Sequence, residues 1–459
     1  MERVSGLRFT VVGAGRSGRA LGRFLLERGA RVVLTDRAAQ GLDPEVEALG
    51  RRGAHLVLGG HDESDFTGAD RVLVSPGVPL DLPPLAAARR AGVPIWGEIE
   101  FAFRFLKGRI IGITGTNGKS TTTTLVGDLL QSGGLDAVAC GNLGTPLIEM
   151  VETDSEERVY AVELSSFQLE AIETFRPDVA VLLNVAPDHQ DRYADHAAYR
   201  AAKARIFENQ GPGDGAVLNH DDAEAFAFAG KVPSRVWLFS RKEAVTEGAC
   251  VEAGMVVLRR AGASRPVLPV AEIPLTGVHN LENVLAAVAA AGLCGVAPER
   301  MAEALRAFRG LPHRIELVGT LDQVRYYNDS KATNVAATAR SLESFPGGVV
   351  LILGGKDKGG DFATLVPLLK QHAAAVVLMG KAREAIAAQL GAAGPRVSVA
   401  TLREAVHQAR RLAPAGGVVL LAPGCASFDA YRNFEERGED FRRIVGEMIA
   451  AAERGPGGR

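Results

Sequence analysis

Cysteine is scarce: the four in 459 residues, at 140, 250, 294 and 425, form no C-x-x-C pair. That spacing excludes a disulfide framework and a thiolate metal knuckle, and it predicts a reducing compartment, the cytoplasm. The chain opens Met-Glu-Arg with no apolar core of a secretory signal, and its alanine-rich stretch 286–291 is far short of a membrane span. Charge of one sign is lacking too. The 52 basic and 54 acidic residues leave a net charge of −2, which argues against a nucleic-acid partner and makes any anion binding local. Lysine is the rarer cation: 10 of the 52 basic residues are lysine, and five of them, at 119, 203, 331, 356 and 358, fall in the motifs below. Where arginine serves as the default surface cation, a retained lysine points to a need for a primary amine.

What is present is a globular composition, 47% hydrophobic and 23% charged, in a chain long enough for about three domains. Apolar strands alternate with helical segments. The opening reads strand 9–12, the turn Gly13-Ala14-Gly15-Arg16-Ser17-Gly18, helix 19–28 and strand 31–34 closing on Asp36. Gly108 marks a joint, after which strands 159–163, 179–184 and 215–219 alternate with helices, and a strand-rich stretch near 235–270 interrupts them. Gly310-Leu311-Pro312 reads as a hinge, followed by strands 324–328, 349–353, 374–379 and 417–421. The expected fold is α/β in three domains, 1–108, 109–311 and 312–459, the outer two Rossmann-like and the central one a P-loop mononucleotide-binding domain.

The strongest chemical signal is Gly112-Ile113-Thr114-Gly115-Thr116-Asn117-Gly118-Lys119-Ser120-Thr121, between an apolar strand and the helix 122–130. It is a shortened G-x-x-G-K-[ST] phosphate loop. Gly115 and Gly118 let backbone N–H groups face an anion, Lys119 reaches the β/γ-phosphates, and Ser120 offers an oxygen to magnesium, so ATP is the expected ligand. The plainer alternative is a glycine-rich turn with a surface lysine. Glu163 closes an apolar strand, where an ionised carboxylate is costly unless paired or metal-bound; it caps the next helix or shares a magnesium ion with Ser120. His189 follows another apolar strand and suits a metal ion or a phosphate; a solvated loop histidine is the plainer alternative. Lys203 lies at i+4 spacing between Tyr199 and Phe207 on an apolar helical stripe over 198–208. Desolvation there lowers an ammonium's pKa, and a neutral amine adds carbon dioxide to give an anionic carbamate; a snorkelling stem is the bland reading.

The first glycine turn with Asp36 resembles a dinucleotide fingerprint, a weak signal alone; ahead of an ATP loop it reads better as the site of a nucleotide-bearing substrate, lined also by Ser75-Pro76-Gly77 at a neighbouring strand end, and a purely structural turn is the plainer alternative. Later motifs are His279-Asn280-x-x-Asn283, His313-Arg314 and Asn328-Asp329-Ser330-Lys331-Ala332-Thr333-Asn334. Two strand-end loops, Gly354-Gly355-Lys356-Asp357-Lys358 and Pro423-Gly424-Cys425-Ala426-Ser427-Phe428, are expected to meet on one carboxyl-end face and to suit a small anion.

Together these motifs resemble the Mur ligases, ATP-dependent amide-forming enzymes of peptidoglycan precursor synthesis, over nearly the whole chain. Glu163 to Leu169, Asp188 to Tyr193 and above all Asn328 to Asn334 are similar to the members that join D-glutamate to UDP-N-acetylmuramoyl-L-alanine. The resemblance implies that the phosphate loop, Gly115, Thr116, Asn117, Gly118, Lys119, Ser120 and Thr121, binds ATP with Asn280, Asn283, Arg314 and Asp329. It implies two Mg2+ sites, one on Ser120 and Glu163 and one on His189 and carbamoylated Lys203. Gly15, Arg16, Ser17, Asp36, Arg37, Ser75, Gly77, Asn142 and His189 then hold the UDP substrate. Lys331, Thr333, Ser427, Phe434 and Lys358, or else Lys356, hold D-glutamate. Lys119, His189 and Lys203 are the catalytic set, in a monomer that needs no nucleic acid and no membrane span. The alternatives are another Mur ligase or a folylpolyglutamate synthase-like ligase, a nicotinamide-dependent oxidoreductase built on the first domain, and a non-catalytic nucleotide-binding regulator.

Overall fold

The computed structural model describes residues 3–40, 43–189, 192–275, 277–357 and 359–454. Three sheets follow one another along the chain. The first holds β1 (Arg8–Val12), β2 (Arg31–Asp36), β3 (His55–Leu58), β4 (Arg71–Val74) and β5 (Ile95–Gly97), all parallel in the order β3-β2-β1-β4-β5. The second holds β6 (Arg109–Thr114), β7 (Ala137–Gly141), β8 (Val159–Glu163), β9 (Val179–Leu182), β10 (Gly215–Asn219), β11 (Arg235–Ser240), β12 (Gly248–Glu252), β13 (Met255–Arg260) and β14 (Ala263–Pro269). Its order is β14-β13-β12-β11-β10-β9-β6-β8-β7, and only the β12–β13 and β13–β14 pairs are antiparallel. The third holds β15 (Glu316–Leu321), β16 (Val324–Asn328), β17 (Val349–Gly354), β18 (Ala373–Met379), β19 (Arg396–Ser398) and β20 (Val418–Leu421), in the order β15-β16-β20-β17-β18-β19. These are three α/β layers, and the strand-rich stretch near 235–270 is the antiparallel extension of the second sheet.

Central strands such as Val349–Gly354 are buried at every position, which is why they read as continuous apolar runs rather than alternations. The strand β15 escapes such a reading because it is a half-exposed edge, antiparallel to β16. Three helices differ from expectation, among them the one after the phosphate loop, which spans Lys119–Ser132 rather than 122–130 and so takes Lys119, Ser120 and Thr121 into its first turn. The first helix of the chain begins at Arg16 rather than 19, because Gly15 is extended (φ −68°, ψ −172°) and already stands at its N-cap. The helix carrying Lys203 spans His196–Ala204 and then tightens into a 3-10 turn, Arg205–Phe207, yet Tyr199, Lys203 and Phe207 are all buried as the stripe requires.

The chain divides into two compact units, residues 1–273 with 279–308, and residues 274–278 with 309–459. The first two sheets share one unit because their cores merge: Phe9, Phe24, Phe101 and Phe105 meet edge-on and continue into Ile110, Tyr160 and Val162. Polar links span the same seam. Arg23 pairs with Glu149 at 2.7 Å and Arg28 with Glu152 at 2.8 Å, while Glu98, only 2% exposed, accepts from the Ile148 N–H at 2.7 Å.

Burial raises the Glu98 carboxyl to about 7, opposed by the Ile148 amide and reinforced by the Glu149 charge. In the unfolded chain the group ionises near 4.5. Between those values the folded state binds more protons than the unfolded one, so this group's contribution to stability falls as pH rises and levels off above pH 7. Glu98→Gln removes that slope, worth roughly 3 kcal/mol over the window. Urea unfolding at pH 5 and pH 8 should show the variant gaining on the parent as pH rises; a difference independent of pH would contradict this ionisation.

Candidate active site

Parallel strands deliver their carboxyl ends to one rim, and the phosphate loop sits there after β6. Gly115 (φ +156°) and Gly118 (φ +82°) make the turn, and Gly118 is the N-cap of the helix Lys119–Ser132. A Cβ on Gly118 would lie 2.1 Å from Asn283 Oδ1 and so would displace that side chain, and the positive φ itself favours glycine; Asn283 in turn accepts from Thr122 Oγ1 at 3.3 Å and donates to Asn280 Oδ1 at 3.2 Å. The loop is braced by the segment after β9. Asn117 N–H donates to Asn184 Oδ1 (2.8 Å), Ala186 N–H donates to Thr116 Oγ1 (3.0 Å), and Thr116 Oγ1 lies 3.2 Å from the Tyr199 hydroxyl. Thr121 and Ser120 are buried in the first helical turn.

Two lysines converge on one carbonyl. Lys119 Nζ donates to Gly115 O (2.9 Å) and Thr116 O (3.0 Å), and Lys203 Nζ donates to the same Gly115 O at 2.8 Å. Lys203 is 1% exposed and stands over the Tyr199 ring at 4.6 Å. Burial pushes its pKa well below the ordinary lysine value, the Lys119 ammonium adds to that, and Asp188 opposes it. Such a site favours arrival of negative charge.

Glu163 lies in register with Ile113 across β6 and β8, just ahead of Gly115. It is 3% exposed; Oε1 accepts from Asn142 Nδ2 at 2.7 Å, and Oε2 has no hydrogen-bond partner. A buried carboxylate oxygen left without a donor fits a divalent cation. Among the described residues no three His, Cys, Asp or Glu side chains cluster as a metal site, so the expected set leans on a hydroxyl and on Lys203. His189, in the left-handed region at φ +53°, places its ring 4.7 Å from Phe167 and 6.0 Å from Tyr199, with Asp188 3.8 Å from Nε2.

At the first glycine turn, Ala14 N–H donates to Asp36 Oδ2 (2.7 Å) and Ala38 N–H to Oδ1 (2.8 Å), so this carboxylate braces the loop. Ser75 Oγ donates to Gly13 O at 3.1 Å; Gly15, Arg16, Arg37 and Gly77 are exposed around them and Ser17 is half-buried. No atom lies within 4 Å of a Cβ built on Gly15, which leaves open space beside its backbone. Arg16 Nη1 donates to Gly144 O at 2.6 Å.

In the second unit, Lys356 and Ala426 form a two-way backbone bridge, so the loops after β17 and β20 meet as expected, with Ser427 buried beside them. Lys331 Nζ stands 4.6 Å from the centre of the Phe434 ring, and Thr333 is half-buried. Asp329 is buried, hydrogen-bonded to the Ser341 hydroxyl and to Ile315 N–H; burial pushes its carboxyl up to about 6, offset by the Ser341 bond and the Arg314 charge. Lys358 lies outside the described residues. Sequence reasoning missed Asn184, Tyr199's hydroxyl and the buried Arg437, which donates to Ser330 and to Cys425 O. Asn184, ending an apolar strand, carried a signal; Arg437 carried none.

The phosphate loop on this rim suits a nucleotide-dependent enzyme, and the family matches give its class. The Mur ligase MurD-like N-terminal domain family matches residues 7–97, the Mur ligase middle domain family 113–291, and the Mur ligase glutamate ligase domain family 313–425. The chain belongs to the Mur ligase family, ATP-dependent amide-forming enzymes, which sets aside the oxidoreductase alternative. Its relatives include the UDP-N-acetylmuramoylalanine--D-glutamate ligases of Acidobacterium capsulatum (46% identical, 96% of each chain) and Pelotomaculum thermopropionicum (47%, 95% of this chain and 96% of the other). The enzyme of that name from Geobacter metallireducens is 46% identical over 97% of this chain and 98% of its own. Solved structures share the fold: UDP-N-acetylmuramate-alanine ligase MurC from Thermotoga maritima (19% identical, 97% and 100% covered, TM-score 0.60) and MurF from Acinetobacter baumannii (16%, 96% and 93%, TM-score 0.61). Among the described residues no helix is long and apolar enough to cross a membrane.

Proposed function

We propose that this protein joins D-glutamate to the L-alanine carboxylate of UDP-N-acetylmuramoyl-L-alanine, converting ATP to ADP and phosphate, as a cytoplasmic monomer with domains 1–108, 109–311 and 312–459. The shared full-length identity with ligases of that name supports the substrates. The observation that carries the chemistry is the convergence of Lys119 and Lys203 on Gly115 O, in the loop that follows Ile113, to which Glu163 is paired in register.

In this reading a carboxylate oxygen of the L-alanine group attacks the γ-phosphorus of ATP, and the bond to the β-bridging oxygen breaks to release ADP. Lys119 holds the transferring phosphoryl group, offsetting charge on its crowded oxygens. The phosphate loop, Thr121, Asn280, Asn283, Arg314 and Asp329 hold the nucleotide. The neutral amine of D-glutamate then attacks the acyl carbon. The tetrahedral intermediate loses phosphate as its C–O bond breaks and the nitrogen gives up a proton. Lys331, Thr333, Ser427, Phe434 and Lys358 seat D-glutamate; Gly15, Arg16, Ser17, Asp36, Arg37, Ser75, Gly77, Asn142 and His189 seat the nucleotide-sugar. Ser120 and Glu163 would hold one Mg2+, and His189 with Lys203 a second; bound there, the ions supply Lewis-acid stabilisation. For that second site, the neutral Lys203 nitrogen adds to carbon dioxide, forms the N–C bond and loses a proton, leaving a carbamate oxygen as ligand.

The test is phosphate release with UDP-N-acetylmuramoyl-L-alanine, ATP and a panel of D- and L-amino acids. D-Glutamate should be the one amino acid that drives turnover. Turnover with L-glutamate, or with a diamino acid alone, would overturn the assignment.

A further inference from the structure

The loop from Gly141 to Ile148 is gripped at three points. At its start, Asn142 N–H donates to Glu163 O at 2.9 Å and Asn142 Nδ2 to Glu163 Oε1 at 2.7 Å. Gly141 (φ +92°) allows this approach, since a Cβ there would lie 2.5 Å from Glu163 O. In the middle, Gly144 O takes the Arg16 guanidinium, and Gly141 N–H closes the loop on Thr145 O at 2.8 Å. At its end a 3-10 helix, Leu147–Thr153, begins after Pro146, whose side chain makes no cap. The missing cap comes from fifty residues upstream. Glu98, the first residue of the helix Glu98–Phe103, reaches across from the first domain's end, and its carboxyl Oε1 accepts from the Ile148 amide at 2.7 Å. It is buried with Oε2 unpartnered, an arrangement that costs stability by itself and so calls for a compensating role.

We infer that Glu98 is a positioning residue for the metal centre, capping the Leu147–Thr153 turn so that Asn142 holds Glu163 with Oε2 turned to the cation. The inference rests on the reading of Glu163 as a metal ligand. Its consequence is that the expected nucleotide-sugar domain fixes a ligand of the central domain, through one loop, before any substrate binds. Partners that orient a metal ligand from the next shell typically change metal affinity 10- to 100-fold when removed.

Mn2+ titration of the full chain without nucleotide, followed by the EPR signal of free Mn2+, tests this apart from turnover. Glu163→Gln comes first: unchanged Mn2+ affinity there would mean that the metal reading itself fails. With that control lost as expected, Glu98→Ala and Asn142→Ala should each weaken Mn2+ about tenfold, and the double variant no more than the worse single, because both break one chain of contacts. Glu98→Gln, which keeps an acceptor for Ile148, should restore most of the affinity. Wild-type affinity in folded Glu98→Ala, or losses that multiply in the double variant, would overturn the inference. Should Glu98→Ala fail to fold, Glu98→Asp, which draws the carboxyl back by one methylene, makes the same comparison.

Discussion

Lys203→Ala should lower turnover about a thousandfold, the scale of several kcal/mol of charge stabilisation removed from the transition state. Formate or acetate added to the assay should return part of that loss, because a small carboxylate can occupy the space of the missing carbamate. Lys203→Arg should not be rescued: a guanidinium stays charged and does not add carbon dioxide. The structural ground is that Lys203 is buried, rests on the Tyr199 ring and has a carbonyl rather than a carboxylate as its partner. A merely packed lysine would give a variant that is less stable yet active once folded. Steady-state assays with and without formate, beside thermal melts, separate the two; full activity with no carboxylate effect would count against the carbamate.

Lys119→Ala should cost roughly a hundred- to a thousandfold in kcat, with a smaller effect on the KM for ATP, since its charge matters most as the phosphoryl group transfers. Its Nζ now rests on Gly115 O and Thr116 O, carbonyls of the loop it must serve, so it is pre-placed within reach of a bound polyphosphate. Removing it also relieves Lys203 of its neighbouring cation, so the fold should suffer little. A variant whose kcat is intact and whose KM alone rises would show that Lys119 contributes uniform binding and not transition-state stabilisation.

The phosphate loop and the strand-end placement of Glu163, His189 and the two third-sheet loops are legible in the sequence because they depend on local order: strand, glycine turn, helix. The same holds for the apolar stripe around Lys203, which survives even though its helix tightens after Ala204. What escapes is pairing between distant residues. Asp36 reads as a ligand-binding acid, yet its carboxylate already takes the Ala14 N–H of the first glycine turn, 22 residues away, and the Ala38 N–H beside it. Asn142 reads as a substrate contact, and its amide is held by Glu163. Glu98 carries no motif at all: its partner amide, Ile148, lies fifty residues on, and no local periodicity records a cap supplied from so far upstream. Asp329 and Arg437 are likewise made notable by burial that only the packed third sheet creates.

The central claim is that the carboxylate is activated by phosphoryl transfer before nitrogen attacks. Substrate carrying 18O in both carboxyl oxygens of its L-alanine group tests it most directly, with mass analysis of the phosphate released. The account predicts one labelled oxygen in each phosphate formed; phosphate free of label, with amide still produced, would contradict it.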